Sequence, residues 1–437
     1  MNDAYLADAA LSGRDMTRLR LRAVLSCIIG NFFELFDFAI YGFFAASIGH
    51  TFFPSDDPVI SVLKSFATYG VGFIMRPIGA VVVGAYGDRH GRKAALVVTI
   101  VLMAVATGAT GLIPGFQAIG LWAPVLLVLC RLLQGFSTGG EWGGATAFLV
   151  EYAPPGRRGF FGSWQQFSVG VGLLAGSAAA SVITYSLAPD AVNAWGWRIP
   201  FVAGALIAPV GYYLRSRVSE TPAFSHTVET ASLSASPLRA TFTTHRRAVL
   251  SGFGLTIVWT VGSYLFLTFM PTFAVQQLHM TPTVALLSNS LAILVYTVLT
   301  PVMGALSDRI GRKRMLLAAA GIYFVAGYPL FLLITVQGTF AALLCAQVIA
   351  AATLALFSGP APALLCELYP TNIRYTSLSI GYNLAVMLFG GFAPFIATLL
   401  IQQTGSPIAP TFYLIVCAFI SIIAISSITD RYRETLA

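Results

Sequence analysis

Charged side chains are scarce in this 437-residue chain: they make up 10% of the residues, against 57% for hydrophobic ones. A water-soluble domain carries about a quarter charged residues, because its surface faces water. The apolar stretches run for roughly 18 to 28 residues, the length that a helix needs to cross about 30 Å of hydrocarbon. Transmembrane β-strands are shorter, about ten residues, and alternate in polarity. The composition therefore predicts an all-α integral membrane protein.

The residue types that build catalytic and metal centres are also scarce. Five cysteines are scattered among apolar runs and no two form a CxxC pair, so we predict neither disulfides nor a metal site. The five histidines fall in loops or at span ends, and there is no HExxH motif and no Gly-rich phosphate loop. We therefore expect no enzymatic activity and no cofactor. The net charge of +8 lies mostly in connecting loops, which predicts no nucleic-acid partner.

The apolar runs predict twelve transmembrane helices. The first twenty residues are polar and mixed in charge, without the short apolar core of a signal peptide. The predicted spans, numbered 1 to 12 in chain order, are 21–48, 62–85, 94–113, 121–149, 160–187, 196–214, 248–273, 283–306, 314–335, 340–366, 374–401 and 409–428. A polar segment rich in Ser, Thr, Pro and His lies between spans 6 and 7 and divides the spans six and six.

The predicted organisation is two six-helix bundles with short polar ends. We assign 1–20 to an N-terminal tail, 21–214 to the first bundle, 215–247 to a linker, 248–428 to the second bundle and 429–437 to a C-terminal tail. Alternate connections, counted with the two tails, hold nearly all of the 25 Lys and Arg residues. Because Lys and Arg accumulate in cytoplasmic loops, both termini and the linker are expected in the cytoplasm.

One pattern occurs twice, at corresponding places in the two bundles. It reads G-x-x-x-D-R-x-G-R-K, starting at Gly84 between spans 2 and 3 and at Gly304 between spans 8 and 9. Positive charges that set the membrane topology, together with glycines in turns, would explain the residue types. They would not explain why the same residues recur in the same order 220 positions later, which indicates an internal repeat. The residues that we single out are Gly84, Asp88, Arg89, Gly91, Arg92, Gly304, Asp308, Arg309, Gly311 and Arg312.

This pattern resembles the signature loop of the major facilitator superfamily. The resemblance implies twelve transmembrane helices in two pseudo-symmetric six-helix halves that rock about a central site. It also implies that the Asp and Arg residues of the loops make charge contacts near the cytoplasmic helix ends. These contacts stabilise one access state and break in the other. Charge pairs at a wet interface are individually weak, which suits a switch.

Further motifs are similar to those of the metabolite–proton symporters within that superfamily. They read GNFFELFDF from Gly30, RLLQGFSTGGE from Arg131, WGWRIPF from Trp195, ELYPTNIR from Glu367 and FGGFAP from Phe389. The stretch FIMRPIG at 73–79 looks most like the citrate/tricarballylate carriers. The resemblance implies proton-coupled symport of a small organic acid across a bacterial inner membrane, by a monomer. Carriers of proline and betaine share the subfamily, so a zwitterionic osmolyte stays open as the alternative substrate.

Five charged residues lie well inside predicted spans: Glu34, Asp37, Arg76, Arg131 and Glu141. Each costs a few kcal/mol in hydrocarbon, so each is a candidate functional residue, with a structural ion pair between helices as the alternative. Helix rise places Asp37 about 16 Å and Arg131 about 15 Å from the same membrane face, which predicts that they pair. Arg76 and Glu141 both lie about nine residues from the cytoplasmic ends of their spans, which suggests a second pair.

The two carboxylates of span 1 are candidates for proton coupling. Glu34 and Asp37 lie three residues apart and share a helix face. Two carboxylates this close do not both ionise easily in a low dielectric, so one is expected to carry a transferable proton. We predict that Asp37 carries the proton and that the nearby charge of Glu34 modulates its protonation. Glu141 is the next candidate for the proton carrier. Arg131 is the expected substrate ligand, with Arg76, because the planar fork of Arg binds both oxygens of a carboxylate.

The second bundle carries no charge at the centre of a predicted span. Four neutral polar residues complete the predicted substrate site: Tyr41, Gln165, Tyr382 and Asn383. Their amides and phenols can hydrogen-bond a solute, although aromatic side chains in helices more often pack. The expected partners are an organic anion, a proton and the lipid bilayer. A membrane sensor or enzyme without transport activity is a distant alternative.

Overall fold

The computed structural model describes residues 31–32, 34–90, 92–151, 153–216, 246–369 and 371–434, and all regular structure in these ranges is helical. The predicted N-terminal tail and nearly all of the predicted linker lie outside the described residues. So do the side chains at 84–85 and 87–96, which include the first repeated loop.

The described helices form twelve spans in two groups of six. In the first half, span 1 consists of Glu34–Phe43 and Ala45–Phe52, span 2 is Pro58–His90, and span 3 is Arg92–Leu112. Span 4 consists of Trp122–Gly139 and Trp142–Glu151, span 5 is Arg158–Ser186, and span 6 is Ile199–Ser216. In the second half, span 7 consists of Arg246–Ser263, Tyr264–Phe269 and Met270–Leu278, span 8 is Pro282–Ile310, and span 9 is Arg312–Gln337. Span 10 consists of Phe340–Ser358 and Ala361–Glu367, span 11 of Thr371–Ala385, Val386–Gly390 and Ala393–Thr404, and span 12 is Pro410–Ser426. Short helices at Phe116–Ile119, Pro189–Ala194 and Gly196–Arg198 lie in connections. The predicted number and order of spans agree with this architecture.

Several spans are irregular near the middle. Span 1 bends by 71° at Phe44, and span 4 is interrupted between Gly139 and Trp142. Spans 7 and 11 each contain a π-helical segment, at Tyr264–Phe269 and Val386–Gly390. Irregular backbone at membrane depth is tolerated only where protein or a water-filled cavity surrounds it. These segments therefore mark the interior of the bundle.

Spans 2 and 4 touch backbone to backbone in the first half. A Cβ placed on Gly135 of span 4 would overlap the carbonyl oxygen of Gly72, and one on Gly79 of span 2 would overlap that of Phe136. Small residues are the usual means by which membrane helices approach this closely. The contact fixes the rotation of both helices, and with it the direction of their arginines.

The two halves meet along spans 5 and 8. Span 5 begins at Arg158 and span 8 ends at Ile310, at the end of the bundle that carries the second repeated loop; we call this the loop end. There a Cβ placed on Gly304 would lie 2.6 Å from the carbonyl oxygen of Gly159. The halves are thus in close backbone contact at the loop end.

The outer surface is apolar. Large side chains such as Val105, Leu206, Val325 and Ile423 are 57% to 74% exposed among the described residues. A soluble monomer does not expose apolar surface on this scale. This apolar surface is suited to contact with lipid. Many of the polar side chains are instead buried inside the bundle.

Candidate functional site

Asp37 and Arg131 form an ion pair inside the first half, as helix rise predicts. Nη1 of Arg131 lies 3.1 Å from Oδ2 of Asp37, and neither side chain is more than 1% exposed. Gln134, one turn after Arg131, donates to Oδ1 of Asp37 at 2.9 Å. The Arg131 guanidinium also lies 4.5 Å from the ring centre of Tyr41. Both charges are therefore withdrawn from solvent and compensated within one half.

A second ion pair joins spans 1 and 2. Nη2 of Arg76 lies 3.1 Å from Oε1 of Glu34, so the predicted pairing of Arg76 with Glu141 is wrong. The reason is helix length: span 2 continues past its predicted end to His90, which places Arg76 about 21 Å from the end of its span. Glu141 lies only about 15 Å from the end of span 4. The two carboxylates of span 1 are thus each matched by an arginine.

A cavity of about 570 Å³, measured with the space at its mouth, lies between the halves. Its lining has two charged side chains, Glu34 and Arg76, which cancel in formal charge. The polar and aromatic side chains of the lining are Gln166, Thr260, Ser263, Thr268, Trp142, Trp259, Tyr264 and Tyr382. A concave site with an apolar wall and a few convergent polar groups is the usual form of a small-molecule site.

Four of the six residues predicted to bind the substrate do not line this cavity. The hydroxyl of Tyr41 donates to the backbone carbonyl of Ser65 at 3.1 Å. Gln165 is buried and accepts a hydrogen bond from Gln166, which lines the cavity in its place. Of the predicted substrate residues, Arg76 and Tyr382 line the cavity, whereas Arg131, Tyr41, Gln165 and Asn383 do not.

Trp142 and Tyr382 stack face to face across the two halves. Their ring centres are 3.5 Å apart and their planes differ by 1°. Trp259 of span 7 meets the Trp142 ring at 6.2 Å in an edge arrangement and donates through its own Nε1 to Ser358 at 2.7 Å. One face of both stacked rings is therefore already covered.

The interruption of span 4 is an attachment point for span 11. Nδ2 of Asn383 donates to the carbonyl of Gly139 at 3.3 Å, and a Cβ on Gly143 would overlap the Ser379 hydroxyl. Glu141 lies at this interruption, 8% exposed, and is not part of the cavity lining. Asn383 therefore joins the two halves beside the cavity, rather than lining it.

Asp308 of the second repeated loop caps a helix of the other half. Its Oδ1 accepts from the backbone N–H of Gly159 at 2.8 Å, and its Oδ2 accepts from that of Phe160 at 3.0 Å. These N–H groups begin span 5 and have no partner within their own helix. A carboxylate at this position also complements the positive end of the helix dipole.

Ion pairs surround this cap at the loop end. They are Arg158–Glu367, Arg312–Glu367, Arg312–Asp308 and Arg374–Glu151, with closest N–O distances of 3.3, 3.0, 3.2 and 2.7 Å. The first and last of these join the two halves. When the halves separate, water can solvate the charges that part, which offsets the loss of their attraction, so each pair stabilises the closed arrangement only modestly.

The remaining positions of the repeated loops have different surroundings. Gly311 has φ of 102°, a conformation that favours glycine, and ends span 8. Arg309 is exposed. The predictions for Gly84, Asp88, Arg89, Gly91 and Arg92 fall on side chains or residues outside the described set.

Sequence reasoning missed several residues of this arrangement. Gln134 lies one helical turn from Arg131, a spacing that could have identified it. Thr260 carries no such signal, because helix rotation decides whether it faces the cavity. Gln166 does carry one, since two adjacent amides inside a span are unusual, but rotation decided that Gln166 rather than Gln165 lines the cavity. Among the described residues, no group of three or more His, Cys, Asp or Glu is placed to hold a metal ion.

Family models match both halves of the chain. The model described as sugar (and other) transporter matches residues 23–236, and that of the major facilitator superfamily matches residues 252–436. The fold resembles that of a proton:xylose symporter with bound 6-bromo-6-deoxy-D-glucose, with a TM-score of 0.78, 18% identity, and coverage of 96% of this chain and 98% of that one.

Curated relatives cover nearly the whole chain. A citrate–proton symporter of Klebsiella pneumoniae is 38% identical, over 93% of this chain and 91% of that protein. A proline/betaine transporter of Escherichia coli K12 is 36% identical, over 92% of this chain and 82% of that protein. With this similarity along its length, a twelve-span fold and a cavity between two halves, the chain belongs to the major facilitator superfamily, in the group that contains citrate–proton symporters and proline/betaine transporters.

Proposed function

We propose that this protein is a proton-coupled symporter of a small organic acid. The observation that carries the proposal is the Arg76–Glu34 pair, with 3.1 Å between the charged atoms, in the wall of the cavity between the halves. The guanidinium of Arg76 is a suitable ligand for a substrate carboxylate, and it is paired with Glu34, a carboxylate that can take up a proton. The citrate–proton symporters among the relatives support this substrate class.

The pair couples proton and anion through competition for one arginine. While Glu34 is ionised, it occupies Arg76. Protonation of Glu34 removes its charge, and Arg76 is then free to bind the carboxylate of the substrate. When the anion leaves on the other side, Arg76 returns to Glu34 and the proton dissociates. Proton and anion are therefore loaded together and released together.

The sequence predicted Asp37 as the proton carrier and Arg131 as the substrate ligand, whereas this proposal gives these roles to Glu34 and Arg76. Asp37 and Arg131 do not line the cavity, and Gln134 already satisfies the second oxygen of Asp37. We assign this deeper pair to holding spans 1 and 4 together, with Glu141 as a further titratable group near the cavity. Removing one partner of such a pair leaves an uncompensated buried charge, which is strongly destabilising.

Orientation and assembly follow the same proposal. The distribution of Lys and Arg supports a bacterial inner-membrane protein with both termini and the linker in the cytoplasm. The loop end is then the cytoplasmic end, and its ion pairs close the cavity toward the cytoplasm. Each chain contains a whole cavity, so we propose a functional monomer.

A zwitterionic osmolyte such as proline or betaine is the second candidate. The favouring observation is that the charges of the cavity lining cancel, which suits a solute with one positive and one negative group. The proline/betaine transporters among the relatives support it as well. The lining also holds four aromatic side chains, Trp142, Trp259, Tyr264 and Tyr382, and the stacking of Trp142 on Tyr382 covers only one face of each of these two rings.

Uptake into proteoliposomes with an acidic exterior tests the proposal. Citrate, tricarballylate, 2-oxoglutarate, proline and glycine betaine are offered in turn, with protein-free liposomes as the control. We expect accumulation of at least one of the three acids, abolished by a protonophore. Accumulation of proline or betaine alone would establish the second candidate instead, and accumulation of none would contradict both.

A further inference from the structure

Two polar groups of the cavity lining have no hydrogen-bond partner among the described residues. They are Nε1 of Trp142, in span 4 of the first half, and Oγ1 of Thr260, in span 7 of the second half. Their residues are only 4% and 5% exposed. Buried polar atoms are nearly always satisfied, because leaving one unpaired is unfavourable. Both residues line the same cavity, from opposite halves, so a solute in that cavity lies beside two residues whose polar atoms the chain leaves unpaired.

The Thr260 hydroxyl differs from its neighbours in the helices. The hydroxyls of Thr256, Thr297 and Thr300 each donate to the carbonyl four residues earlier, at 2.7 Å. Thr260 makes no such bond, and its hydroxyl lies against Gly390, where a Cβ would overlap it. The π-helical segment of span 11 thus leaves room for a hydroxyl that is turned away from its own helix.

The Trp142 indole is held rigidly. Tyr382 covers one face of its ring, and Trp259 contacts it in an edge arrangement. The direction of its N–H group is therefore fixed before any ligand arrives. An indole N–H can only donate, so its ligand must be an acceptor. Pre-organised donors of this kind bind an oxygen with little loss of side-chain entropy.

From these observations we infer that Trp142 and Thr260 together bind a second oxygen-bearing group of the substrate while Arg76 binds its carboxylate. The inference rests on the proposed function and narrows the substrate class. The solute is an organic acid with a second acceptor, either another carboxylate or a hydroxyl group. The quaternary ammonium end of betaine carries no acceptor and would leave both donors unpaired. Because the two donors belong to different halves, the substrate also bridges them.

The test uses substitutions that remove one donor and little else. Trp142→Phe keeps an aromatic ring for Tyr382, and Thr260→Val keeps the shape of the side chain. The matched controls are Trp197→Phe and Thr138→Val, which remove an equally buried and unpartnered indole N–H and hydroxyl outside the cavity lining. KM is measured for whichever of citrate, tricarballylate and 2-oxoglutarate the wild-type protein accumulates in proteoliposomes.

We expect each cavity variant to raise KM by about tenfold or more, as for a lost hydrogen bond to a charged group. The two controls should keep the KM of the wild-type protein. Thr260→Ser, which retains the hydroxyl, should stay near wild type, and a Ser variant as poor as the Val variant would overturn the inference. Unchanged KM in both cavity variants would also overturn it while leaving the proposed function intact. If the wild-type protein accumulates none of the acids, the proposed function fails and the inference with it.

Discussion

The carboxylate of Asp308, in the second half, accepts the backbone N–H of Gly159, in the first half, at 2.8 Å. A helix of one half is thus capped by a side chain of the other. The cap exists only while the halves are closed at the loop end, so its free energy contributes directly to the balance between access states.

Asp308→Asn is expected to favour opening at the loop end. Asn lacks the charge that complements the helix N-terminus and has one acceptor oxygen instead of two. The change should weaken the closed state by about 0.5–2 kcal/mol, a shift of roughly two- to thirty-fold in the equilibrium. The readout is maleimide labelling of Cys366, which is fully buried beside Glu367, in a variant that keeps it as the only thiol.

The control for this experiment is Asp57→Asn. Asp57 accepts the N–H of Val59 at 2.8 Å, but both belong to the first half. Its loss should leave the labelling rate of Cys366 unchanged. Equal labelling in the Asp308 variant and the wild-type protein would show that the cap does not bias the access states.

Glu34→Gln should separate substrate movement from the proton gradient. The amide mimics the protonated carboxyl group and leaves Arg76 free, so the variant should still bind substrate and exchange it across the membrane. It should not accumulate substrate when an inward proton gradient is imposed. Counterflow and gradient-driven uptake in the same proteoliposomes measure the two activities. Glu434→Gln, at an exposed site in the C-terminal tail, is the control; gradient-driven accumulation by the Glu34 variant would rule out this proton site.

Asp37→Asn should act on stability. Arg131 would be left buried with no counter-charge, at a cost of about 3–5 kcal/mol. Thermal unfolding in detergent should therefore occur at a clearly lower temperature. The double variant Asp37→Asn with Arg131→Gln removes both charges and should recover much of the loss. A stable single variant that exchanges substrate without accumulating it would instead return the proton-carrying role to Asp37.

Gly135→Ala tests the contact that orients the arginines of spans 2 and 4. The added methyl group would overlap the backbone of Gly72, which cannot give way as a flexible side chain would. Overpacking of this kind costs about 1–3 kcal/mol, and thermal unfolding again provides the measurement. Gly321→Ala is the matched control, since no atom lies within 4 Å of a Cβ at that position. Equal stability of the two variants would contradict the close packing of these spans.

The fold could be predicted from the sequence because hydrocarbon leaves a chain few solutions. Long apolar runs must be helices, and the repeated loop identifies the two halves. Depth in the membrane could be predicted too, since helix rise is constant, and it correctly paired Asp37 with Arg131.

Helix rotation and the ends of helices were harder to predict. The underestimated length of span 2 led to the wrong partner for Arg76. Rotation decides which polar residues face the cavity, and it depends on contacts such as Gly135 with Gly72, between residues far apart in sequence. That is why the sequence did not show that Arg131 lies away from the cavity or that Thr260 lines it.

The cavity lining divides its chemistry between the two halves. Its charged groups, Glu34 and Arg76, come from the first half, while the second half provides hydroxyl and aromatic side chains such as Thr260 and Tyr264. A gene duplication that begins with equal halves can in this way leave the charged pair in one copy only, while both copies contribute neutral polar and aromatic groups to the cavity. Residues of spans 7 and 11 can then change, in evolution or by design, while the Glu34–Arg76 pair stays as it is.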